Sequence, residues 1–452
     1  MTAPTAGPVV VAGAGPAGSL LSIYLARQGH QVTVYERRPD LRRVDIGAGR
    51  SINLALATRG IVPLTDVGVI ERVDEITIPM RGRMVHAEDD PTPVLQPYGS
   101  QRHEVIHSVS RTDLNAILLD AAEATGRVTF EFERPLAAID LDGCELHFED
   151  GTSAPFGVLF GADGANSRVR EALVETGACS CRIEWLDHAY KELTLPSDEQ
   201  GGHRLDPNAL HIWPRGELML IALANPGGDF TVTLFAPTET FDTLTTAAAV
   251  ERFFDDEFAD FVGLVPDLAE QFAANPTGTL GTVRASGWSH ADRAVLVGDA
   301  AHGIVPFHGQ GMNAAMESVR ALARHLRDAD DLATAFARYE AERKPDGDAI
   351  ADMALANYVE MRAGVVDPDY LAKRALALEL ERRHPSHLSP RYNMVMFSTM
   401  PYSEAKLRAE RQAAIIATAL ADPSADVDAL VAALPPLPAL DPLADPLALS
   451  TS

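Results

Sequence analysis

Cysteine and positive charge are both scarce in this chain of 452 residues. Its three cysteines are Cys144, Cys179 and Cys181, and an odd, sparse set argues against a disulfide framework and favours a reducing compartment. The Cys-x-Cys pair lacks a second ligand pair at a usual spacing, so it predicts strand packing and no metal site. Lys and Arg number 38 against 64 Asp and Glu, and the net charge of −26 argues against nucleic acid and anionic membranes as partners.

Long apolar runs are absent as well. The longest candidate, residues 413–421, has about half the length that a membrane span needs. Met1 is followed by TAPTAGP and then at once by a strand pattern, without the features of a signal peptide. We therefore expect a soluble, cytoplasmic protein that acts on a small molecule, and the sequence indicates no particular oligomeric state.

The clearest motif is a glycine pattern between two short apolar strands near the N-terminus. Residues 9–12 form the first strand, GAGPAG opens a helix, and QVTVYE forms the second strand. The glycines let main chain approach a pyrophosphate, and an acid ending the second strand accepts hydrogen bonds from ribose hydroxyls. The pattern predicts a dinucleotide site but does not distinguish NAD from FAD. The predicted cofactor contacts are Gly13, Gly15, Ala17, Gly18, Glu36 and Arg37.

Two further glycine-aspartate segments follow apolar strands much later in the chain. Residues 158–170 read VLFGADGANSRVR, and residues 298–317 read GDAAHGIVPFHGQGMNAAME. Three such separated segments indicate that the fold surrounds a large cofactor, because glycines beside a helix start let main chain approach a ligand. For Asp299 the alternative role is a helix or turn cap. The predicted contacts here are Asp163, Asp299, Pro306, Gly309, Gly311, Met312 and Asn313.

This arrangement resembles the single-component flavoprotein aromatic hydroxylases. The resemblance implies bound FAD, with Asp299 at the ribityl chain and the loop after it against the isoalloxazine ring. A helix N-terminus near Met312 would stabilise negative charge on the reduced ring.

The predicted fold class is α/β: a Rossmann-like FAD-binding domain with an inserted antiparallel-sheet substrate domain and a C-terminal helical region. Strands separated by Pro, Gly and Asn turns indicate the inserted sheet, and a continuous helical pattern follows it. Prolines and acids are expected to break any helix in the final stretch. The expected units are 1–180 (first part of the FAD-binding domain, with 70–110 contributing to the substrate site), 181–280 (substrate domain), 281–345 (second part of the FAD-binding domain), 346–421 (helical region) and 422–452 (Pro/Asp-rich tail).

A closer resemblance runs from residue 9 to about residue 402. The segments GRSINLALATRG, PMRGRMVH, PYG, IHSVSRTDLN, YKEL, ALHIWP, NPTG, IVPFHGQGMN and NYVEM occur in that order. They are similar to the kynurenine 3-monooxygenase family. The resemblance implies NADPH and O2 as cosubstrates beside FAD, and hydroxylation of L-kynurenine at ring position 3 through a C4a-hydroperoxyflavin.

The same resemblance implies a substrate site. Arg83 is expected to clamp the substrate carboxylate, because a guanidinium pairs with a carboxylate through two hydrogen bonds. Tyr98, Asn357 and Tyr392 complete the head-group site, and Arg111 contacts the flavin. The expected ring pocket comprises Leu210, Ile221, Leu223, Phe235, Phe307, His308 and Met361. No catalytic residue beyond the flavin and no metal is expected.

Several alternatives stay open from the sequence. Arg83 also fits a surface ion pair, and the two tyrosines fit a core with satisfied hydroxyls. The substrate also fits a substituted kynurenine or another aromatic amino acid in a specialised biosynthetic pathway. A flavin-binding protein without hydroxylase activity is an alternative of another class, and it predicts that kynurenine does not accelerate flavin reduction.

Overall fold

The computed structural model describes residues 7–44, 53–88, 90, 92–98, 104–363, 368–422 and 424–438. Its strands are β1 (Val9–Ala12), β2 (Val32–Tyr35), β3 (Asn53–Leu56), β4 (Thr77–Met80), β5 (Gly82–Val85), β6 (Val94–Pro97), β7 (Ile106–Ser110), β8 (Val128–Glu131), β9 (Leu136–Asp140), β10 (Glu145–Phe148), β11 (Ser153–Pro155), β12 (Val158–Gly161), β13 (Ser180–Leu195), β14 (Leu210–Arg215), β15 (Leu218–Ala224), β16 (Phe230–Pro237), β17 (Thr277–Ser286), β18 (Ser289–His290) and β19 (Ala294–Leu296).

The helices lie between these strands and after them. They are α1 (Pro16–Arg27), α2 (Thr58–Asp66), α3 (Ile70–Asp74), α4 (Arg111–Ala124), α5 (Arg168–Glu175), α6 (Thr238–Thr243), α7 (Ala247–Glu257), α8 (Ala259–Val262), α9 (Leu268–Ala274), α10 (Asp299–His302), α11 (Gly311–Asp328), α12 (Leu332–Ala363), α13 (Pro368–Arg383), α14 (Arg391–Met396), α15 (Tyr402–Ala421) and α16 (Val427–Ala432), with a 3₁₀ turn at Pro306–His308.

A six-stranded sheet forms the centre of the nucleotide-binding region. Its strand order is β18-β19-β12-β1-β2-β8, and only the pairing of β18 with β19 is antiparallel. Strand β1 is buried along its whole length, as expected of a central parallel strand covered on both faces. Helix α1 connects β1 to β2 and packs against α4 and α11. The predicted Rossmann-like α/β arrangement is confirmed.

A seven-stranded sheet forms the second layer, with the order β17-β13-β16-β15-β14-β5-β6. All its pairings are antiparallel except that of β14 with β5. Strands β5 and β6 come from the N-terminal third of the chain, so Arg83 pairs with Leu210 across two distant segments. One face packs on α7 to α9 through a cluster that includes Phe254 and Phe261. The other face is free to line a cavity.

Helices α12 to α16 form the C-terminal region. The expectation that the tail forms no helix is wrong for Val427–Ala432, which is helix α16. The Asp426 side chain accepts a hydrogen bond from the Ala429 backbone N–H and so caps this helix. Val431 packs into an apolar cluster with Leu380 and Ile415. This burial offsets the conformational entropy that the segment loses when it becomes ordered. Residues 439–452 lie outside the described part. None of the helices in the described ranges has the length and apolar character to cross a membrane.

Candidate active site

A cavity of about 510 Å³ lies between the N-terminal glycine loop, the free face of the seven-stranded sheet and the loop before α11. Most of the predicted site residues meet there although they come from distant segments. Those lining it are Gly15, Ala17, Arg83, Arg111, Leu210, Ile221, Leu223, Phe235, Asp299, Pro306, Phe307, His308, Gly309, Gly311, Met312 and Tyr392.

The glycine loop has the close packing that its sequence predicts. Gly13 has φ of +96°, and a Cβ there would lie 2.5 Å from the Ala162 carbonyl oxygen. A Cβ on Gly18 would lie 1.9 Å from the Gly13 oxygen, so this position cannot carry a side chain without main-chain movement. Gly15 has open space at its Cβ position and lines the cavity at the N-terminus of α1. This open cradle fits a pyrophosphate.

Glu36 lies over that loop. One carboxylate oxygen accepts a hydrogen bond from the Ala14 backbone N–H at 2.9 Å, and the other accepts one from the Arg38 N–H at 2.9 Å. The carboxylate therefore stands beside the cradle, at the end of β2 where a ribose acceptor is expected. Arg37 is exposed and does not line the cavity.

The two predicted aspartates have different surroundings. Asp163 accepts hydrogen bonds from the Ser167 hydroxyl at 2.5 Å and from the Arg168 N–H at 2.7 Å, as the cap of a helix start does. Asp299 opens α10 and lines the cavity, and no described side chain donates a hydrogen bond to its carboxylate. Burial raises the pKa of Asp299, and the nearby charge of Arg111 opposes that rise. Asp299 is thus the aspartate available to a ligand.

The loop before α11 makes a tight turn at Gly309, and its glycines line the cavity. Gly309 follows the 3₁₀ turn with φ of +66°, and Gly311 starts the helix. Asn313 does not line the cavity. Its Oδ1 accepts from the Ala57 N–H at 2.9 Å, and its Nδ2 donates to the carbonyls of Ala55 at 2.7 Å and Gly309 at 2.9 Å. Asn313 therefore braces the loop against the strand β3 region.

Arg83 and Tyr392 line the cavity, and Tyr98 packs beside them. The Arg83 guanidinium carbon lies 4.7 Å from the centre of the Tyr392 ring and 5.9 Å from that of Tyr98, and the two rings stack at 5.2 Å. The Arg83 Nε and the Tyr98 hydroxyl are buried without a hydrogen-bond partner among the described residues. Arg81, two residues earlier, is exposed. Buried polar atoms without partners indicate that a polar ligand belongs beside Arg83 and Tyr98.

The predicted head-group residue Asn357 and the predicted ring-pocket residue Met361 lie on α12. The Asn357 Nδ2 donates to the Phe307 carbonyl at 2.8 Å, so this side chain holds the loop that carries Phe307. Met361 is in the same helix, and its side chain lies outside the described part of the chain.

The middle of the cavity is apolar apart from one imidazole. Phe307 packs between Phe235, at 5.0 Å, and Tyr358, at 4.0 Å between ring centres. Both ring nitrogens of His308 are buried without a partner in the described ranges. Burial, aided by the charge of Arg391, lowers the pKa of His308 to about 3, so the ring is neutral at physiological pH. The ring stacks on Tyr392 at 5.5 Å.

The sequence reasoning assigned no role to Tyr190 or Glu192, which also line the cavity. They alternate along β13 in the YKEL segment, and the two-residue period of a strand places both on one face. Burial raises the pKa of Glu192 to about 7, and Arg111 opposes the shift. The described residues contain no group of three His, Cys, Asp or Glu side chains placed to hold a metal ion.

Known proteins match this chain over most of its length. A family profile described as FAD binding domain matches residues 6–354. The kynurenine 3-monooxygenase of Stenotrophomonas maltophilia (strain K279a) is 50% identical over 410 residues, which is 89% of this chain and 90% of that protein. The enzyme of the same name from Myxococcus xanthus (strain DK1622) is 44% identical over 402 residues, which is 87% of this chain and 86% of that protein.

The chain belongs to the kynurenine 3-monooxygenase family. The FAD-binding fold and the aromatic hydroxylase class expected from the sequence are thereby confirmed. The roles of the individual site residues stay predictions.

Solved structures of other oxygenases share the fold of this family member. The tetrameric form of 2-methyl-3-hydroxypyridine-5-carboxylic acid oxygenase has a TM-score of 0.67 at 18% identity, covering 81% of this chain and 95% of that one. Pseudomonas aeruginosa PqsL in complex with 2-aminobenzoylacetate has a TM-score of 0.63 at 22% identity, covering 79% of this chain and 97% of that one. At these identities the likeness concerns the fold alone.

Proposed function

We propose that the protein hydroxylates L-kynurenine at ring carbon 3. The balanced reaction takes L-kynurenine, NADPH, a proton and O2 to 3-hydroxykynurenine, NADP⁺ and water. Relatives that are 44–50% identical and carry the name kynurenine 3-monooxygenase support the proposal. The single observation that carries it is the half-buried Arg83 side chain, whose buried Nε lies beside a stacked pair of tyrosine rings, Tyr98 and Tyr392.

Arg83 is suited to the amino-acid head of kynurenine. A carboxylate that leaves water for a cavity needs a fixed cation to offset its lost hydration. The Arg83 Nε is buried and has no partner in the described part of the chain, and the Tyr98 hydroxyl beside it is in the same state. Burial holds the pKa of Tyr98 well above its usual value, so the phenol stays neutral and donates. Together they offer hydrogen-bond donors to a carboxylate.

The aromatic ring of the substrate would lie beyond this clamp. Leu210 pairs with Arg83 in the sheet, and Ile221 and Phe235 line the cavity on the neighbouring strands. These side chains give an apolar wall that excludes water, while the neutral His308 offers one hydrogen-bonding group to the carbonyl or amine. The ring is thereby directed from the clamp toward the glycine loop before α11.

The cofactor would occupy the other part of the cavity. Gly15, Asp299 and the backbone around Gly311 are the residues that would hold FAD, and Arg111 lies near Asp299. When bound, FAD supplies the redox chemistry: it accepts a hydride from NADPH and activates O2. The protein binds and orients the substrate and keeps water away. The net charge of −26 supports a soluble enzyme with a small-molecule substrate, and the three cysteines favour a reducing, cytoplasmic compartment.

Product analysis tests this proposal. Purified protein with NADPH and ¹⁸O2 should convert L-kynurenine to 3-hydroxykynurenine carrying one labelled oxygen. Ring-substituted kynurenines, assayed in parallel, should give lower kcat/KM. A higher kcat/KM for a substituted compound would reassign the substrate, and flavin that turns over no aromatic amino acid would refute the hydroxylase.

A further inference from the structure

Gln310 stands between two glycines that line the cavity, yet its own side chain faces the other way. Gly309 and Gly311 border the cavity, whereas Gln310 is fully buried behind it. Its Oε1 accepts a hydrogen bond from the Tyr402 hydroxyl at 2.6 Å, and its Nε2 contacts the Met396 sulfur at 2.8 Å. Both partners belong to the C-terminal helical region, so this region holds the glycine loop from behind.

Helix α14 connects those contacts to the substrate clamp. It carries Tyr392, which stacks on Tyr98 and lies under the Arg83 guanidinium. Met396 follows one helical turn later, on the same face as Tyr392. A ligand that fixes Tyr392 therefore also fixes the turn that holds Gln310.

A buried arginine keeps this turn in place. Arg59 has no solvent exposure, and its Nε donates to the Val395 carbonyl at 3.0 Å while one Nη donates to the Met400 carbonyl. Its guanidinium carbon lies 3.9 Å from the centre of the Tyr402 ring. Its other Nη pairs with Glu317 of α11 at 2.8 Å. Arg59 thus links the α14–α15 turn to α11, and the Tyr402 hydroxyl and the Met396 sulfur are the contacts of that turn with Gln310.

We propose that the hydrogen bond from Tyr402 to Gln310 couples occupation of the Arg83 site to the position of the glycine loop Gly309–Gly311. Tyr402 is in this account a positioning residue, because it touches neither substrate nor cofactor. The inference rests on the proposed function for the identity of the ligand at Arg83. Its consequence is that kynurenine orders Gly309 to Asn313, the segment predicted to face the flavin, before NADPH reacts.

The test compares Tyr402→Phe with two control variants of the FAD-loaded protein. Phe keeps the ring under Arg59 and removes only the hydroxyl. Tyr24→Phe removes an equally buried tyrosine hydroxyl, which is bonded to Asp66 at 3.0 Å and makes no hydrogen bond to Gln310. Ser403→Ala removes a contact of 2.7 Å between α15 and Asp346 and leaves Gln310 untouched.

Amide hydrogen exchange, with and without L-kynurenine, reads the coupling directly. In the wild type and both controls, kynurenine should slow exchange at residues 391–396 and at 309–313. In Tyr402→Phe the slowing should persist at 391–396 and be lost at 309–313. The acceleration of flavin reduction by kynurenine should fall by about fivefold to tenfold, as expected for one lost buried hydrogen bond. The Kd for kynurenine should rise by no more than that factor, because coupling between two sites is reciprocal.

Three results would overturn the inference. Loop protection in Tyr402→Phe equal to that of the wild type would show that the bond carries no coupling. An equal loss of loop protection in Tyr24→Phe or Ser403→Ala would show that removing any of these buried hydrogen bonds loosens the protein. Protection at neither segment in the wild type, with kynurenine bound by titration, would overturn the coupling alone. No binding in the titration would contradict the proposed function itself.

Discussion

The Arg83 guanidinium carbon lies 4.7 Å from the centre of the Tyr392 ring, although the two residues belong to opposite ends of the chain. Arg83 is on β5, an added strand of the seven-stranded sheet, and Tyr392 is on α14 of the C-terminal region. The predicted head-group site is therefore completed only when the C-terminal helices pack against the sheet. This relationship makes both residues informative targets.

Replacing Arg83 tests the clamp. Arg83→Met should retain the fold and FAD, because Met fills similar apolar space, but it should weaken kynurenine binding by about 3–5 kcal/mol, as expected when a buried charge pair loses one partner. Titration followed by flavin absorbance measures the Kd. The matched control is Arg81→Met, whose side chain is exposed and should have little effect. Equal behaviour of the two variants would reject Arg83 as the clamp.

Asp299 tests the predicted ribityl contact. Its carboxylate lines the cavity and has no side-chain donor in the described ranges, so a hydroxyl of the cofactor is its expected partner. Asp299→Ala should lower FAD affinity by about 1.5–3 kcal/mol, the range for hydrogen bonds to charged groups. The charge-matched control is Asp142→Ala, a side chain with 88% exposure. If Asp299→Ala retains as much flavin as Asp142→Ala, the ribityl contact is refuted and Asp299 serves only at the start of α10.

Glu36 tests the ribose contact. Gln at this position retains an oxygen to accept from the Ala14 N–H but loses the negative charge. The FAD dissociation constant of Glu36→Gln should rise by about one to two decades, because a charge-assisted hydrogen bond becomes a neutral one. Fluorescence titration of the apoprotein measures it against Glu131→Gln, at the exposed end of the neighbouring strand β8. An unchanged constant would refute the assignment.

Glu192 makes stability depend on pH. Burial raises its pKa from 4.5 to about 7, so the folded protein keeps this proton to a higher pH than the unfolded chain does. The free energy of unfolding should therefore fall as the pH rises from about 4.5 to 7, where the buried carboxyl ionises. Glu192→Gln should raise Tm at pH 8 relative to the wild type and leave Tm at pH 5 nearly unchanged. Exposed Glu199→Gln should shift Tm at neither pH, and an equal shift there would contradict the account.

The glycine loop and the βαβ unit around it were predictable because their signals are local. G-x-G-x-x-G between an apolar strand and a helix specifies the βαβ unit through sterics that neighbouring residues impose. The clamp at Arg83 was accessible only through family resemblance, since the local pattern equally fits a surface arginine.

The contacts that the sequence does not predict depend on packing between segments that are distant in the chain. Nothing in the sequence near Asn313 shows that its amide holds Ala55 and Ala57, and nothing near Tyr402 points to Gln310. Helix α16 was missed because its stability comes from the apolar cluster that receives Val431, which the proline-rich composition hides.

Stopped-flow reduction of the bound flavin by NADPH, with and without L-kynurenine, tests the central claim most directly. It examines cofactor, reductant and substrate in one experiment. The account predicts that kynurenine accelerates reduction by at least about tenfold over the background, since the ligand completes the site around the flavin. Arg83→Met should lose that acceleration and retain the slow background rate. Reduction that is equally fast with and without kynurenine in the wild type would contradict the account.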